Sequence, residues 1–485
     1  MVFPKKDFLK DLKDKGFTRA VVYREIIGDT VTPITLLNAF SDRKRLFLLE
    51  SANLDKSFSR FSFIGVDPER VIRVFPKKIE EEINGKTKIF ETDVFAYLDK
   101  LFAGEKAYST EEFGDFAGGF VGNFSYEAVN LMNVLRKPLN IPEDFKLATF
   151  FEVQSFFVFD NAKFKLYAAC SIDLSDVEKS YSFAEEKTLK LAKLVKNSSG
   201  RKVSPSSKPV FEREFSEDEF KRMVADVRGE ILRGECIQCV ISNFYKVFGK
   251  LNPVSFYRSL RRINPSPYLF FIKDGDSVLC GSSPETHLRV KKGKALLKPI
   301  AGTIPIEDGE DIEYLKKKLL NDPKERAEHL MLLDLARNDL HAGCKTETVK
   351  PIKMFEPEVY SHVIHIVSEV VGELGENLSP FALFSKTFPA GTLTGAPKVR
   401  AIELIEETEK NLRGFYGGCV GYFSYSGDLD TCITIRSALF EKDFAVIRAG
   451  AGVVADSIPE KEFYEVEGKL GALFGAFDMM EEMEA

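Results

Sequence analysis

Gly118–Tyr126 reads GGFVGNFSY and Gly417–Tyr425 reads GGCVGYFSY, identical at seven of nine positions. Both have the character of Gly-rich strands, where backbones approach closely. One such strand in each half suggests a pair of related sheets packed together rather than two independent domains. Other strand-like runs (RLFLLES, FSFIGV, ATFFEVQSFFVFD, FKLYAACSID) precede a Ser-, Pro-, Gly- and Lys-rich stretch, Asn197–Pro209, which reads as a linker. After it, FSEDEFKRMVADVRGEILRG is a helix capped by Ser216 with an acidic first turn. The chain divides into residues 1–196, the linker 197–209 and residues 210–485. The expected class is α/β (α+β), with two large packed antiparallel sheets and outer helices.

Composition narrows the function. The 485 residues suffice for one very large domain or two ordinary ones. With 68 Lys+Arg against 74 Asp+Glu there is no basic field, which argues against a nucleic-acid partner. MVFPKKDFLKDLKDKG lacks an apolar core for a signal peptide, and no apolar run approaches the roughly 18 residues of a membrane span. Seven scattered cysteines read as reduced thiols, so a cytoplasmic protein without membrane contact is expected. Cys236-x-x-Cys239 lacks a second ligand pair and reads as two buried thiols. Gly417–Gly421 matches G-x-C-x-G, but all five histidines (His287, His329, His341, His362, His365) precede Cys419, so no base follows it.

Two carboxylate pairs carry the chemistry. Glu325 and Glu328 lie in NDPKERAEHLMLLDLARNDL, and Glu462 and Glu465 in ADSIPEKEFYEVEGKL. The i, i+3 spacing puts each pair on one helix face, after a proline (Pro323, Pro459) and a capping residue, Asp322 in one case and Ser457 or a neighbour in the other. Converging, the four suit a hard cation such as Mg2+; separately, they complement helix macrodipoles. PAGTLTGAPKVRAIELIEE is a Gly/Thr loop entering a helix, where free N–H groups and the Thr392 and Thr394 hydroxyls would take a small carboxylate. Arg436 in TCITIRSALF, with the glycine N–H groups of Gly450–Gly452, would clamp a second one. Lys469 shares a face with Glu462 and Glu465, as a ligand or as a helix-stabilising partner of Glu465. His365 is either a functional imidazole or a satisfied core histidine. Glu285, after a Ser-Pro turn, is either a desolvated general acid or a surface turn acid.

These motifs, with GECIQCVIS, INPSPYLFF, GSSPE, LKPIAGT, YSHVIHIVSEV, TIRSA and AGAGVVADS, resemble the chorismate-utilising enzymes, and within them the branch that makes anthranilate. The resemblance covers nearly the whole chain and is densest over Phe211–Phe477. It implies a catalytic region in 210–485 against which the N-terminal region packs. It also implies Mg2+ held by Glu328 and Glu465 with Glu325 and Glu462 close behind, binding the ring carboxylate of chorismate. Tyr416, Arg436, the Gly450, Ala451 and Gly452 backbone and Lys469 would hold the enolpyruvyl carboxylate and the other polar end, beside the Ala301-Gly302-Thr303 segment. Glu285 would protonate the leaving C4 hydroxyl as ammonia attacks C2. His365 and Thr392 match positions linked to the elimination of pyruvate from the resulting amino intermediate.

Relatives that make 4-amino-4-deoxychorismate have a lysine where PIAGT has Ala301. Isochorismate synthases have a lysine base where this chain has Gln238. Both differences, with PAGT around Thr392, imply ammonia as nucleophile. Leu49, Glu50 and Ser51, with Pro267, Tyr268 and Leu269, resemble the family's L-tryptophan feedback site. The nearest enzymatic alternative is an aminodeoxyisochorismate or aminodeoxychorismate synthase, which would release no anthranilate. The alternative of another class is a non-catalytic amino-acid-binding regulatory subunit, and the full set of Glu, His, Thr and Arg residues argues against it. Without an amidotransferase triad of its own, the chain is expected to take ammonia from a separate glutamine amidotransferase subunit, in a hetero-oligomer.

Overall fold

The structure, a computed structural model, describes residues 2–484 apart from 29, 53–59, 111–112, 197–204, 308, 360–362 and 377, and omits the side chain of Thr303. Much of the linker, and His362, therefore lie outside the described residues. Two almost wholly antiparallel sheets of 13 and 12 strands form the body, with helices outside them. Both sheets are continuous across the two sides of residues 197–209. In the larger, strands from the N-terminal side fill one half and strands from the C-terminal side the other. They meet at one seam, where Arg45–Glu50 pairs with Tyr268–Asp274.

The smaller sheet has the same plan, and its seam is formed by the two echoing segments. Gly119–Phe124 pairs with Cys419–Ser424, and Gly122 stands opposite Gly421. The echo is thus not one strand in each of two sheets; its members are neighbours in one. Glycine serves close approach here. A Cβ on Gly122 would stand 2.0 Å from the Thr149 carbonyl oxygen, and one on Gly421 2.0 Å from that of Asp430.

Between the sheets, Phe116 packs its ring 5.3 Å from Phe63, 5.2 Å from Phe156 and 5.1 Å from Tyr422, counted between centroids. Helices Glu217–Leu232, Pro253–Ile263 and Pro459–Asp478 pack against strands of the larger sheet. The smaller sheet receives Pro380–Thr387, with Phe384 4.7 Å from Phe124 and Phe381 stacked on Phe423. Ser216 and Glu219 form a full capping box. Asp322 caps its helix by accepting from the N–H groups of Lys324 and Glu325. Ser457 does not cap: Ile458 holds that position, and the Ser457 hydroxyl accepts instead from the Val454 N–H. All seven cysteines are unpaired and buried, and no described helix is long and apolar enough to cross a membrane.

Candidate active site

Helix Pro323–His341 lies on strands Ile300–Pro305 and Val363–Glu373, while Pro459–Asp478 lies on Phe444–Val453. Their carboxylates feel one another. Burial, then Glu325 and Glu465, push the Glu328 carboxyl above its usual range. Burial and Glu465 do the same to Glu462, against the pull of its Ser457 contact. Glu325 lies over Gly302, a residue with φ 72°, where a Cβ would stand 3.1 Å from Glu325 Oε2. These are oxygen donors of the kind a hard cation takes. Even so, among the described residues no three acidic, histidine or cysteine side chains form a ready cage. A cation would have to draw the carboxylates together.

Opposite them is a surface suited to anions. Phe444–Val453 pairs with Gln238–Phe248, placing Gly452 beside Val240 and Gly450 beside Ser242. A Cβ on Gly450 would come within 2.8 Å of the Tyr416 hydroxyl, so glycine makes room for that phenol. At Gly452 a Cβ would meet the Gln238 side-chain amide in the same way. The next strand, Ser437–Phe440, is paired only opposite Ala445–Ile447, so among the described residues the Gly450–Gly452 segment has one edge without a strand beside it. Lys469 Nζ reaches onto that segment, donating to the Gly450 carbonyl at 2.9 Å and to Glu465 at 2.7 Å. Arg436, at φ 51°, is half-buried, and burial depresses its guanidinium. Among the described residues no carboxylate pairs with it. A desolvated cation without a counter-ion calls for an anionic ligand.

Glu285 lies in the turn between Ser277–Ser283 and Thr286–Lys291, where burial pushes its carboxyl up to about 8, against the pull of Thr392 and Lys469. It is therefore uncharged at neutral pH. Thr392 Oγ1 is buried, interacts with that carboxyl, and has no hydrogen bond of normal geometry among the described residues. Thr394 is turned away: its hydroxyl donates back to the carbonyls of Ala390 and Gly391. The His365 ring approaches the Gly302 carbonyl at 3.3 Å, and burial lowers its pKa to about 4. Thr303 stands opposite His365 in the ladder, beyond a bulge at Gly302 that separates it from Ala301. Lys469 bears electrostatically on Glu285, His365, Glu328 and Glu462 alike, which draws residues from four separate segments into one site.

A cavity of about 470 Å3 opens between the sheets, lined by Leu49, Glu50, Ser51, Pro267, Tyr268 and Leu269 among others. The Glu50 carboxylate is already engaged, by the Tyr257 hydroxyl at 2.8 Å and by Arg261 at 3.2 Å. The Ser51 hydroxyl is buried without a hydrogen-bond partner among the described residues. Tyr268 donates to Asp430 at 2.8 Å and lies 2.9 Å from the hydroxyl of Thr286, the neighbour of Glu285. This cavity and the Glu285 site therefore share a wall.

Reading the sequence missed Glu409, Arg413 and Arg448, a buried ion cluster behind Tyr416. The i, i+4 spacing of Glu409 and Arg413 was the available signal, but it does not reveal burial.

A family model described as chorismate binding enzyme matches residues 45–475. The chain is 36% identical to anthranilate synthase component 1 of Acetivibrio thermocellus and 34% identical to that of Pseudomonas aeruginosa, over 99% of each chain in both pairs. Among solved structures it resembles anthranilate synthase component I of Streptococcus pneumoniae, with TM-score 0.75 and 31% identity over 93% of this chain and 99% of that one. The menaquinone-specific isochorismate synthase MenF of Escherichia coli shares the fold, with TM-score 0.69 at 16% identity over 98% and 100%.

Proposed function

The chain belongs to the chorismate-binding enzyme family, within its anthranilate synthase component 1 branch, and from that premise we propose that it joins ammonia to chorismate and releases anthranilate and pyruvate. The observation that carries this reading is that Lys469 bears on a buried acid, Glu285, and, together with the guanidinium of Arg436, on His365, while no carboxylate among the described residues pairs with Arg436. Such a site receives a dianion and protonates a leaving hydroxyl. Arg436, Tyr416 and the Gly450–Gly452 edge hold the enolpyruvyl carboxylate. Glu328 and Glu465, backed by Glu325 and Glu462, would hold Mg2+, which when bound supplies a Lewis acid and a template for the ring carboxylate.

Ammonia forms the new bond at C2, both ring double bonds shift (C1=C2 to C1=C6, C5=C6 to C4=C5), and the C4–O bond breaks as Glu285 gives its proton to the departing hydroxyl, which leaves as water. The amino group then sheds its surplus proton. In the second stage His365, neutral at pH 7, takes the C2 proton as the C3–O bond breaks, and the departing enolpyruvate gains a proton at its methylene carbon. Pyruvate leaves, and the ring becomes aromatic. The name component 1 of the relatives supports a second component as the ammonia source, a glutamine amidotransferase in a hetero-oligomer. The test is product identity: the purified chain, chorismate, Mg2+ and an ammonium salt at high pH yield anthranilate and pyruvate in equal amounts. Isochorismate or 4-amino-4-deoxychorismate as the product overturns the assignment.

The inter-sheet cavity is the place for an inhibitory L-tryptophan. The chain has no tryptophan of its own, so the added ligand is the only indole emitter in solution. Ser51→Ala removes a buried hydroxyl that lines the cavity and weakens binding about tenfold. Inhibition of turnover should weaken by the same factor, because a ligand shifts activity only through its preference for a low-activity state. Binding that falls while inhibition stays put would separate the two.

A further inference from the structure

Behind Tyr416 a buried ion cluster reaches four segments that carry site residues. Glu409, at the end of helix Lys398–Glu409, accepts from Arg413 Nη2 at 2.7 Å and Nε at 3.0 Å, and from Arg448 Nη2 at 2.6 Å. The Ser242 N–H and hydroxyl also donate to it, both at 2.8 Å. None of the three charged side chains is more than 2% exposed.

The guanidinium groups spend their remaining N–H groups on backbone and neighbouring side chains. Arg413 donates to the Leu393 carbonyl and to the Val240 carbonyl, each at 2.7 Å. Arg448 donates to the Leu412 carbonyl and to the Ser242 hydroxyl, each at 2.8 Å, and to Asn411. Leu393 adjoins Thr392, and Val240 follows Gln238 by two positions. Arg413 leads into Tyr416, and Arg448 precedes Gly450 by two. The two guanidinium carbons lie 5.7 and 6.0 Å from the Tyr416 ring centroid.

Stability alone is a poor reason for such a cluster. Buried ion pairs replaced by apolar groups of similar volume are often neutral or stabilising. What an apolar plug would not do is fix four backbone segments to one another through directed bonds. We propose that Glu409 is a positioning residue, holding the forks of Arg413 and Arg448 so that Thr392, Gln238, Tyr416 and Gly450 converge on one substrate. The inference rests on the reaction proposed above. A displacement of about 1 Å at such a site costs up to about a hundredfold in rate.

Two variants test it, Arg413→Lys and Arg448→Lys. Each keeps the charge facing Glu409 and loses the fork. The readout is the ratio of released amino intermediate to anthranilate, measured on the full chain with chorismate, Mg2+ and an ammonium salt. That ratio does not depend on how much of the protein is folded. Arg413→Lys raises it about tenfold, and Arg448→Lys by less, because only Arg413 reaches the carbonyl next to Thr392. His365→Met serves as a reference for a damaged second stage. Glu409→Gln, where it folds, raises the ratio as well. Variants that turn over more slowly with the parental ratio would make the cluster structural only and overturn the proposal. A parent that makes no anthranilate would instead fail the reaction on which it rests, and both would fall.

Discussion

Glu285→Gln lowers anthranilate formation by about 10²–10⁴-fold, with little change in KM for chorismate, because it removes a proton donor and leaves the shape of the site intact. The parent's pH profile identifies the group. Burial raises the Glu285 carboxyl to about 8, so the donor is present below that pH and absent above it. At fixed free ammonia, turnover should fall as pH rises past about 8, and the residual rate of the Gln variant should lack that limb. At fixed total ammonium the parent gives a bell, since free ammonia grows with pH while the acid is lost. Stability moves in a definite direction. Between the ordinary value of 4.5 and about 8 the unfolded chain has released this proton and the folded chain keeps it. Stability therefore falls with rising pH over that window, by up to about 1.4 kcal/mol per pH unit from this one group. Thermal melts at several pH values should find that Glu285→Gln lacks this decline and melts above the parent in alkali. A variant with the parental profile would show that another group supplies the proton.

The second large effect belongs to the acidic cluster. Glu328→Gln should reduce Mg2+-supported turnover by at least about a hundredfold, since one of the four carboxylates proposed to hold the cation is gone. It should also raise the melting temperature in the absence of divalent cation. Burial, Glu325 and Glu465 all penalise the ionised Glu328, so an uncharged isostere relieves the folded state. Added Mg2+ reverses the ranking: a cation at 100 times its Kd stabilises the parent by about 2.7 kcal/mol, and the variant by much less. Melting curves with and without Mg2+ read this independently of activity. Equal melting gains in parent and variant would reduce the two Glu pairs to helix-end decoration.

What the sequence disclosed followed from local rules. The i, i+3 spacing of the glutamates after Pro323 and Pro459 is a property of a few consecutive residues, so both helices and their acidic faces were legible. Strand character in the two glycine-rich echoes was equally local. Their pairing was not, because a glycine announces that a neighbour comes close without saying which one. Ser457 and Thr394 illustrate competition at short range. Each has the chemistry of a cap or an anion ligand, and each hydroxyl finds a nearer backbone partner first. Glu409 was illegible for the opposite reason. Its burial depends on Ser242, Arg413 and Arg448, which only the finished sheets bring together. Glu285 falls between: the Ser-Pro turn was visible, and the depth at which it is buried was not.

The two seams govern the order in which the chain becomes a protein. When its first 196 residues have left the ribosome, two strands that end as sheet interior, Arg45–Glu50 and Gly119–Phe124, are still bare edges. The partner of the first is Tyr268–Asp274; that of the second, Cys419–Ser424, is translated near the end of the 485-residue chain. A nascent half with two open edges is a template for wrong pairing with its neighbours on a polysome. Contacts of such sequence separation also form slowly. Neither half matures first. The second edge is closed only once Cys419–Ser424 has been made.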